Sequence, residues 1–583
     1  MIVEFFGLPC SGKSTISRSL SKKTGWPRVR IMSRTKLVFV NIWVFFLHPV
    51  RTFALIRLLF SEKRSASLLK YLFINAIMHP QAKWWLSKRK KSAIVDQGYL
   101  QAILSLISSS VDSGRIVDLI KLLPIPRRVC VIESTKDNRE KRTRERGYGM
   151  REDLGEGELS TSYEKDYARI LDAGKRLGYT WSFIQNDTET AEAVADKIIG
   201  SICAVKKINY VTNVRVPTEK AHGKQIARTC EALADLGIAV TLFHSGRKSA
   251  IKEDFFGYYD IKENFSLRSL KTLDVMAIGF FPKPVRFYLQ KALFLVKIYF
   301  RKWDENDHYY TRDPEIAWAL GGLHLRVVFE AHSWPSRGAR IMCFLLKNTD
   351  HITANSSGTA EEFTSRGFRN ISVVPNGFTP TDVTENKLEL RERFSLPRDA
   401  IIFMYIGGFA KWKGVPFMLS AWAKHFGSKS DYHLVLGGGT KEDVDDSEGV
   451  RWKDLQNVHF LGRVSYKEQP YYFKAADILI LPNSKVTRES VSHTSPIKMF
   501  DYMASGRPIV ASRLPSIMEV LNEDNSFLYE ADDEDDFARK LDLVLEDKKG
   551  SDKRASVAKE QSKDFTWSRR ASKMVDVLSK ICK

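Results

Sequence analysis

Two groups of residues in this 583-residue chain have types and spacings that do chemistry. The first is Gly7-Leu8-Pro9-Cys10-Ser11-Gly12-Lys13-Ser14, a G-x-x-x-x-G-K-[ST] run followed by Thr15 and preceded by the apolar IVEFF. Between a strand and a helix, Gly7 and Gly12 let backbone N–H groups curl around a triphosphate, Lys13 can bridge its outer phosphates, and the Ser14 hydroxyl suits Mg²⁺. The pattern implies ATP with Mg²⁺. Asp96 ends a second apolar stretch, SAIVD. A carboxylate there can organise Mg²⁺ or take a proton from an acceptor hydroxyl; the bland reading is a helix cap. TKDNREKRTRERG then supplies Arg139, Arg142, Arg144 and Arg146. They read either as cations for a transferring phosphoryl group or as a solvated helix face.

The second group lies beyond residue 207. His222-Gly223 sits where a turn opens a helix, so N–H groups and the helix dipole can face a diphosphate. Gly407 begins the loop of YIGGFAKWKG, which ends in Lys413-Gly414 at a helix entry. Thr494, Ser495 and Lys498 stand just ahead of Asp501 in HTSPIKMFDYMASGRPIVAS. A pyrophosphate needs cations and amides, and a ribose needs a carboxylate to accept from its hydroxyls; these residues supply both. No metal is expected in this second site. His332 in FEAHSW, taken alone, is either a satisfied buried side chain or part of that site.

The elements that must carry these residues are short apolar runs alternating with helical stretches, the pattern of doubly wound parallel sheets. IVEFF, SAIVDQG, RRVCVIES and TWSFIQND make a first block, and INYVTNV restarts the pattern after AVKK. AVTLFHS, HYYTRD, RVVFEAH, HITANS and ISVVPN continue the second; IIFMYIGG, YHLVLGGG, NVHFLGR, DILILP and PIVAS make a third. The expected domains are residues 1–203, 207–385 and 386–583, all α/β.

Composition narrows the setting. The charge of +22 favours anionic partners, but there is no paired Cys/His finger, helix-turn-helix signature or aromatic ribonucleoprotein strand, so nucleic acid is not expected. Six scattered cysteines without C-x-x-C fit a reducing cytosol, and the N-terminus lacks the order of a signal peptide. LVFVNIWVFFL (residues 37–47) is too short to span a bilayer. RFYLQKALFLVKIYFRKW (residues 286–303) gathers Arg286, Lys291, Lys297, Arg301 and Lys302 on one arc of a helix, mostly apolar opposite. Both segments suit an anionic membrane surface, and both also suit a buried helix or a lid over a cleft. The expected location is cytoplasmic, peripheral at the inner face of a membrane.

The order of phosphate loop, D-x-G after a later strand, and R-x-R-x-R-G before the last helices of the first block resembles small-molecule kinases related to thymidylate and adenylate kinases. That resemblance implies a P-loop fold in which Lys13, Ser14, Asp96 and one or more of Arg142, Arg144 and Arg146 carry phosphoryl transfer. The residues between Val29 and Lys91, where such enzymes bind acceptors, are apolar and basic, which suits a lipid-linked or glycan acceptor.

The second and third blocks resemble glycosyltransferase family four on PTEKAHG, FEAHSW, ITANSSG, VVPNGF, YIGGFAKWKG, NVHFLGRV, AADILILP and SPIKMFDYMASGRPIVAS. The resemblance implies retaining GT-B enzymes, two facing Rossmann-like domains with a closing helix over FTWSRRASKMVDVLSKI. It implies diphosphate contact at Gly223, a place beside the donor sugar for His332, a phosphate cation at Lys413 and a ribose carboxylate at Asp501. Two departures stand out: the family's arginine is Gly408 here, with Lys411 nearby to replace it, and its glutamate pair falls on His493 and Asp501. The expected function is a bifunctional enzyme of cell-surface polysaccharide synthesis: a UDP- or GDP-linked sugar passed to a glycan or lipid-linked acceptor, and a kinase using ATP. The alternatives are a glycosyltransferase whose first domain binds ATP for regulation only, and a membrane-associated nucleotide-binding scaffold.

Overall fold

The computed structural model describes residues 2–30, 33–61, 64–88, 90, 92–107, 111–126, 128–145, 156–177, 179–187, 189–247, 249–277, 282–335, 338–444 and 455–581. The chain divides into two units at Ala204/Val205.

In the first unit the strands β1 (Ile2–Phe6), β2 (Ala93–Asp96), β3 (Arg128–Glu133) and β4 (Thr180–Gln185) form one parallel sheet in the order β2-β1-β3-β4. The glycine-bounded loop Gly7–Gly12 leaves β1 between its neighbours β2 and β3, so the loop sits where the strand order reverses. Val3, Phe5 and Phe6 are fully buried, as a central parallel strand requires. Glu4 is the exception. Its carboxylate is also buried, accepts from the Leu100 N–H at 2.8 Å, and lies where a side chain at Gly98 would begin, 2.4 Å away. Burial pushes its pKa up to about 7, against the pull of the Leu100 N–H and of Lys83. Below pH 4.5 Glu4 is protonated folded or unfolded. Above it the unfolded chain releases its proton first, so Glu4 subtracts stability increasingly up to about pH 7. Glu4→Gln is expected to flatten the fall in the first unit's unfolding midpoint between pH 4.5 and 7; an unchanged slope in calorimetry would refute this proton assignment.

The second unit holds two further parallel sheets. One contains β5 (Lys207–Val211), β6 (Ala239–Ser245), β7 (Ser266–Leu270), β8 (His308–Thr311), β9 (Arg326–Ala331), β10 (His351–Ala354) and β11 (Ile371–Val373), in the order β11-β10-β9-β8-β5-β6-β7. The other contains β12 (Ile401–Ile406), β13 (Tyr432–Gly437), β14 (Val458–Gly462), β15 (Ile478–Leu481), β16 (Ile509–Ser512) and β17 (Phe527–Tyr529), in the order β14-β13-β12-β15-β16-β17. Strand order reverses between β5 and β8 and between β12 and β15, and such reversals open crevices at the carboxyl ends of the strands. The continuous apolar runs IIFMYI and ILIL are buried on both faces by flanking helices. Two strands escape the sequence pattern: β7 buries only Leu270, and β17 is three residues long.

The end of the chain returns to the first sheet of this unit. Phe378 donates its N–H to Phe565 (2.9 Å), Trp567 donates to Phe378 (3.1 Å), and a side chain at Gly377 would begin 2.8 Å from the Trp567 nitrogen. Helix Trp567–Lys580 then packs on helix Ala221–Asp235. Arg570 locks it in place: Nη1 donates to the Pro375 carbonyl at 2.7 Å, and Nη2 pairs with the buried Glu330 on β9.

Candidate functional site

After β12 the chain runs through Gly407-Gly408 to a single 3₁₀ turn, Lys411–Lys413, and then into helix Val415–His425. Gly414 between them has φ 75°, and a side chain there would begin 1.6 Å from the Pro482 carbonyl oxygen, so only glycine fits. The turn is held by the Lys413 N–H donating to Ala410 at 2.8 Å. From the other side, Pro496 starts helix Ile497–Ser505 and places Lys498 in its first turn. The Lys498 Nζ rests 3.7 Å from the Tyr405 ring centroid, without a hydrogen-bond acceptor. A side chain at Gly407 would begin 2.7 Å from Lys498 Nζ, and one at Gly408 3.1 Å from Lys413 Nζ. Both ammonium groups therefore converge on this glycine pair, and Lys413, rather than Lys411, borders the space of the missing arginine. Burial lowers both pKa values, that of Lys498 furthest and with Lys413 adding to it. Two adjacent half-buried cations without a carboxylate, one with its ammonium shut off from water, are costly alone and match one dianionic group beside backbone amides.

The surrounding residues divide into linings and supports. Ser495 contributes its carbonyl to Asn376 Nδ2 at 2.7 Å, and Thr494 follows the π turn Glu489–His493. His493 is buried against Glu362 (3.7 Å), and its carbonyl accepts from Asn355 (3.0 Å) and Thr359 (3.2 Å). It works as a brace between the two halves of the unit. Asp501 accepts from Lys224 at 3.3 Å, and Lys224 lies 5.0 Å from the Tyr466 ring centroid, so this carboxylate reaches across to the first half. A cavity of about 940 Å³ adjoins the pair, lined also by Arg228, Asp260 and Thr379.

The first half contributes a polar cluster at the ends of β5, β8 and β9. The Gly223 N–H donates to Lys220 at 2.8 Å, and the absent side chain makes room for Tyr259, whose hydroxyl would lie 2.0 Å from a Cβ. His332 Nε2 stands 3.4 Å from Glu330 Oε1. Glu330 also accepts from Tyr210 (2.8 Å) and Gln225 (2.5 Å), and Arg570 holds it ionised far below the usual carboxylate range. Burial and Arg312 push His332 down to about 4 and His222 to about 3, so both rings are neutral at pH 7. Arg312, held by Gln225 Oε1 at 3.3 Å, was not singled out by motif; its signal is a cation directly after a strand at the switch point.

In the first unit the loop wraps as its glycines dictate, with φ 95° at Gly12 and 56° at Cys10. Lys13 Nζ folds onto the carbonyls of Gly7 and Leu8, both at 2.7 Å. Lys13 and Ser14 head helix Lys13–Thr24, where first-turn N–H groups lack intrahelical acceptors, and Thr15 is exposed. Ser17 Oγ donates to the Ser14 carbonyl (3.2 Å) and approaches Asp96 Oδ2 (3.4 Å), joining the two residues expected to hold Mg²⁺. Asp96 is also paired with Arg28 at 2.5 Å, and Lys83 donates to its carbonyl at 2.7 Å. Arg28 and Lys83 were not foreseen. Of the arginines, Arg142 reaches the loop, donating to Cys10 (3.5 Å) and to the Asn186 carbonyl (2.7 Å), while Asn186 Nδ2 donates to Ser11 at 2.7 Å. Arg144 is exposed beside Glu140, Arg139 pairs with Glu164, and Arg146 lies outside the described residues. Among the described residues no group of three or more His, Cys, Asp or Glu could hold a metal.

Residues 223–382 match the family model Glycosyltransferase Family 4, and residues 400–547 match Glycosyl transferases group 1. Among curated proteins, the putative teichuronic acid biosynthesis glycosyltransferase TuaH of Bacillus subtilis is 26% identical over 206 residues, 34% of this chain and 50% of that one. The lipopolysaccharide core biosynthesis glycosyltransferase LpsE of Rhizobium meliloti is 26% identical over 34% of this chain and 55% of its own. The chain thus spans about half the length of these relatives. The crystal structure of Anabaena HepE in complex with UDP-glucose superposes with a TM-score of 0.50 at 18% identity, covering 64% of this chain and 99% of that one, a likeness of fold. The C-terminal region of the chain therefore carries glycosyltransferase domains of family 4 and group 1, with GT-B enzymes as its structural neighbours.

Proposed function

We propose that the second unit transfers a sugar from a UDP- or GDP-linked donor to a glycan or lipid-linked acceptor with retention, in the assembly of a cell-surface polysaccharide. The observation that carries this reading is the pair of ammonium groups, that of the half-buried Lys413 and the solvent-shielded one of Lys498, meeting at Gly407-Gly408 without a carboxylate. Their charge suits a departing nucleoside diphosphate, in place of a metal. His332, neutral at pH 7, can accept a hydrogen bond from a sugar hydroxyl without placing a cation beside the anomeric carbon. Asp501, released from Lys224, would accept from the ribose. The biosynthetic setting is supported by the names of TuaH and LpsE. A thermal-shift series with UDP, GDP and their sugars tests it: the right donor raises the unfolding midpoint as its concentration passes its Kd, and no shift with any of them removes the assignment.

The first unit, on this reading, is an ATP-dependent kinase whose acceptor belongs to the same pathway. What supports it is the wrapped loop together with Asp96 and Arg142 around it. When bound, Mg²⁺ would supply charge neutralisation across the outer phosphates. Lys13 would exchange the Gly7 and Leu8 carbonyls for phosphate oxygens, Arg142 would balance charge at the transferring group, and Asp96 would accept the acceptor's proton. Lys13→Ala in the full chain is expected to abolish ATP consumption and leave sugar-nucleotide turnover unchanged; joint loss of both would contradict two independent sites. An acceptor-independent ATP affinity without any phosphorylated product would favour a regulatory first unit instead.

A further inference from the structure

The first unit exposes an apolar face that its own fold does not explain. Helix Arg34–Leu47 ends at His48, and Pro49 opens helix Pro49–Leu59 at 112° to it. Pro49 has no N–H to continue the ladder, and the residue before a proline leaves the α region, here at φ −138°. The inner sides are anchored. Leu37, Val40 and Val44, and Leu55, Leu58 and Leu59, are buried, Asn41 Nδ2 donates to the Met78 carbonyl at 3.0 Å, and Gln81 donates to Thr52 at 3.1 Å. The outer sides are aromatic and aliphatic: Phe39 (71% exposed), Trp43 (50%) and Phe46 (74%) follow at helical spacing on the first helix, and Val50 (67%) and Phe53 (57%) on the second. A soluble protein rarely leaves such a patch open to water.

The charge around the patch identifies what covers it. Arg34 and Lys36 on the first helix, Arg57 on the second and Lys70 on the helix Ala66–Leu72 are exposed, and residues 33–91 contain one acidic side chain, Glu62, against a dozen lysines and arginines. A 14-residue helix reaches only about 21 Å, short of the roughly 30 Å of a hydrocarbon core, and the bend points the second helix away from the first. We infer that helices Arg34–Leu47 and Pro49–Leu59 lie in the headgroup layer of an anionic bilayer, their exposed aromatic and aliphatic side chains inserted and the exposed lysines and arginines on lipid phosphates. The helix that carries Lys83, and through it touches Asp96, is bonded to this pair. Docking therefore brings the stretch between the phosphate loop and Asp96 to the membrane surface. The inference rests on neither catalytic reading, because docking needs no nucleotide.

The test is partition of the full-length protein onto phosphatidylcholine vesicles with and without phosphatidylglycerol, at low salt and without nucleotide. Retention is expected on the anionic vesicles and to weaken with salt. The variant Phe39→Ser, Trp43→Ser, Phe46→Ser changes exposed side chains only, so folding is expected to survive; its partition falls at least about 100-fold. Brominated lipid quenches the fluorescence difference between the wild type and Trp43→Phe. Failure of anionic vesicles to retain the wild type, an unaltered partition of the triple variant, or an unquenched Trp43 each overturns the inference. So does a triple variant that turns a lipid-free dimer into a monomer by light scattering, which would make a second copy the occupant.

Discussion

Lys498→Met is expected to raise the melting temperature of the donor-free protein and at the same time to abolish its stabilisation by the nucleoside diphosphate. The side chain is half-buried, but its ammonium is shut off from water, 3.7 Å from the Tyr405 ring centroid and close to a second ammonium, Lys413. Its charge is therefore a cost of the folded state, offset only in part by the ring face, and an apolar side chain of similar length removes that cost. Function moves the other way. Removing one preorganised cation from a developing anion lowers turnover by about 100- to 1000-fold. Measured together, a higher melting temperature, a vanished ligand shift and a slow enzyme identify a residue placed for its ligand and not for the fold. A ligand shift equal to that of the wild type would show that the diphosphate binds elsewhere.

Arg570→Leu is expected to destabilise the second unit by about 3–5 kcal/mol, the cost of leaving one member of a buried pair uncompensated. Arg570 and Glu330 are both almost inaccessible, their side chains 3% and 2% exposed. The loss also leaves the Val374 and Pro375 carbonyls without their donor. The double variant Arg570→Leu, Glu330→Gln is expected to lose less than the two single losses added, since the uncompensated charge is gone. Calorimetry of the second unit's transition reads both; a single-variant loss below about 1 kcal/mol would contradict the pairing. Because Glu330 also faces His332, the arginine variant is further expected to shift the pH dependence of donor turnover, which a purely structural contact would not do.

Much of this architecture was legible in the residues. Parallel strands buried on both faces read as unbroken apolar runs, so IVEFF, IIFMYI and ILIL announced themselves. SLRSL at residues 266–270 did not, because an edge strand with one buried residue carries no such run. Loop-to-helix glycines with adjacent lysines made Lys13 and Lys413 visible, and the turn SPIK at a helix start made Lys498 visible, since that chemistry is local. Partnerships across the chain were not visible: Lys224 with Asp501, Arg28 with Asp96, and Glu330 with Arg570 join residues 277, 68 and 240 positions apart. Nor could spacing choose among the arginines. On helix Lys136–Glu145, Arg142 and Arg144 are about 200° apart, so only one of them can face the loop, and the fold selects Arg142.

The return of the last helix to the first sheet also governs the order in which the second unit can be made. A ribosome releases Glu330 long before Arg570, so while the next 240 residues are made the nascent first half holds a carboxylate whose partner does not yet exist. That half cannot reach its final state one domain at a time, as chains commonly do during synthesis. Completion waits for the final segment, and a message or a truncation that stops short of helix Trp567–Lys580 yields a chain that lacks more than its last turn: it lacks the closing step for residues synthesised hundreds of codons earlier.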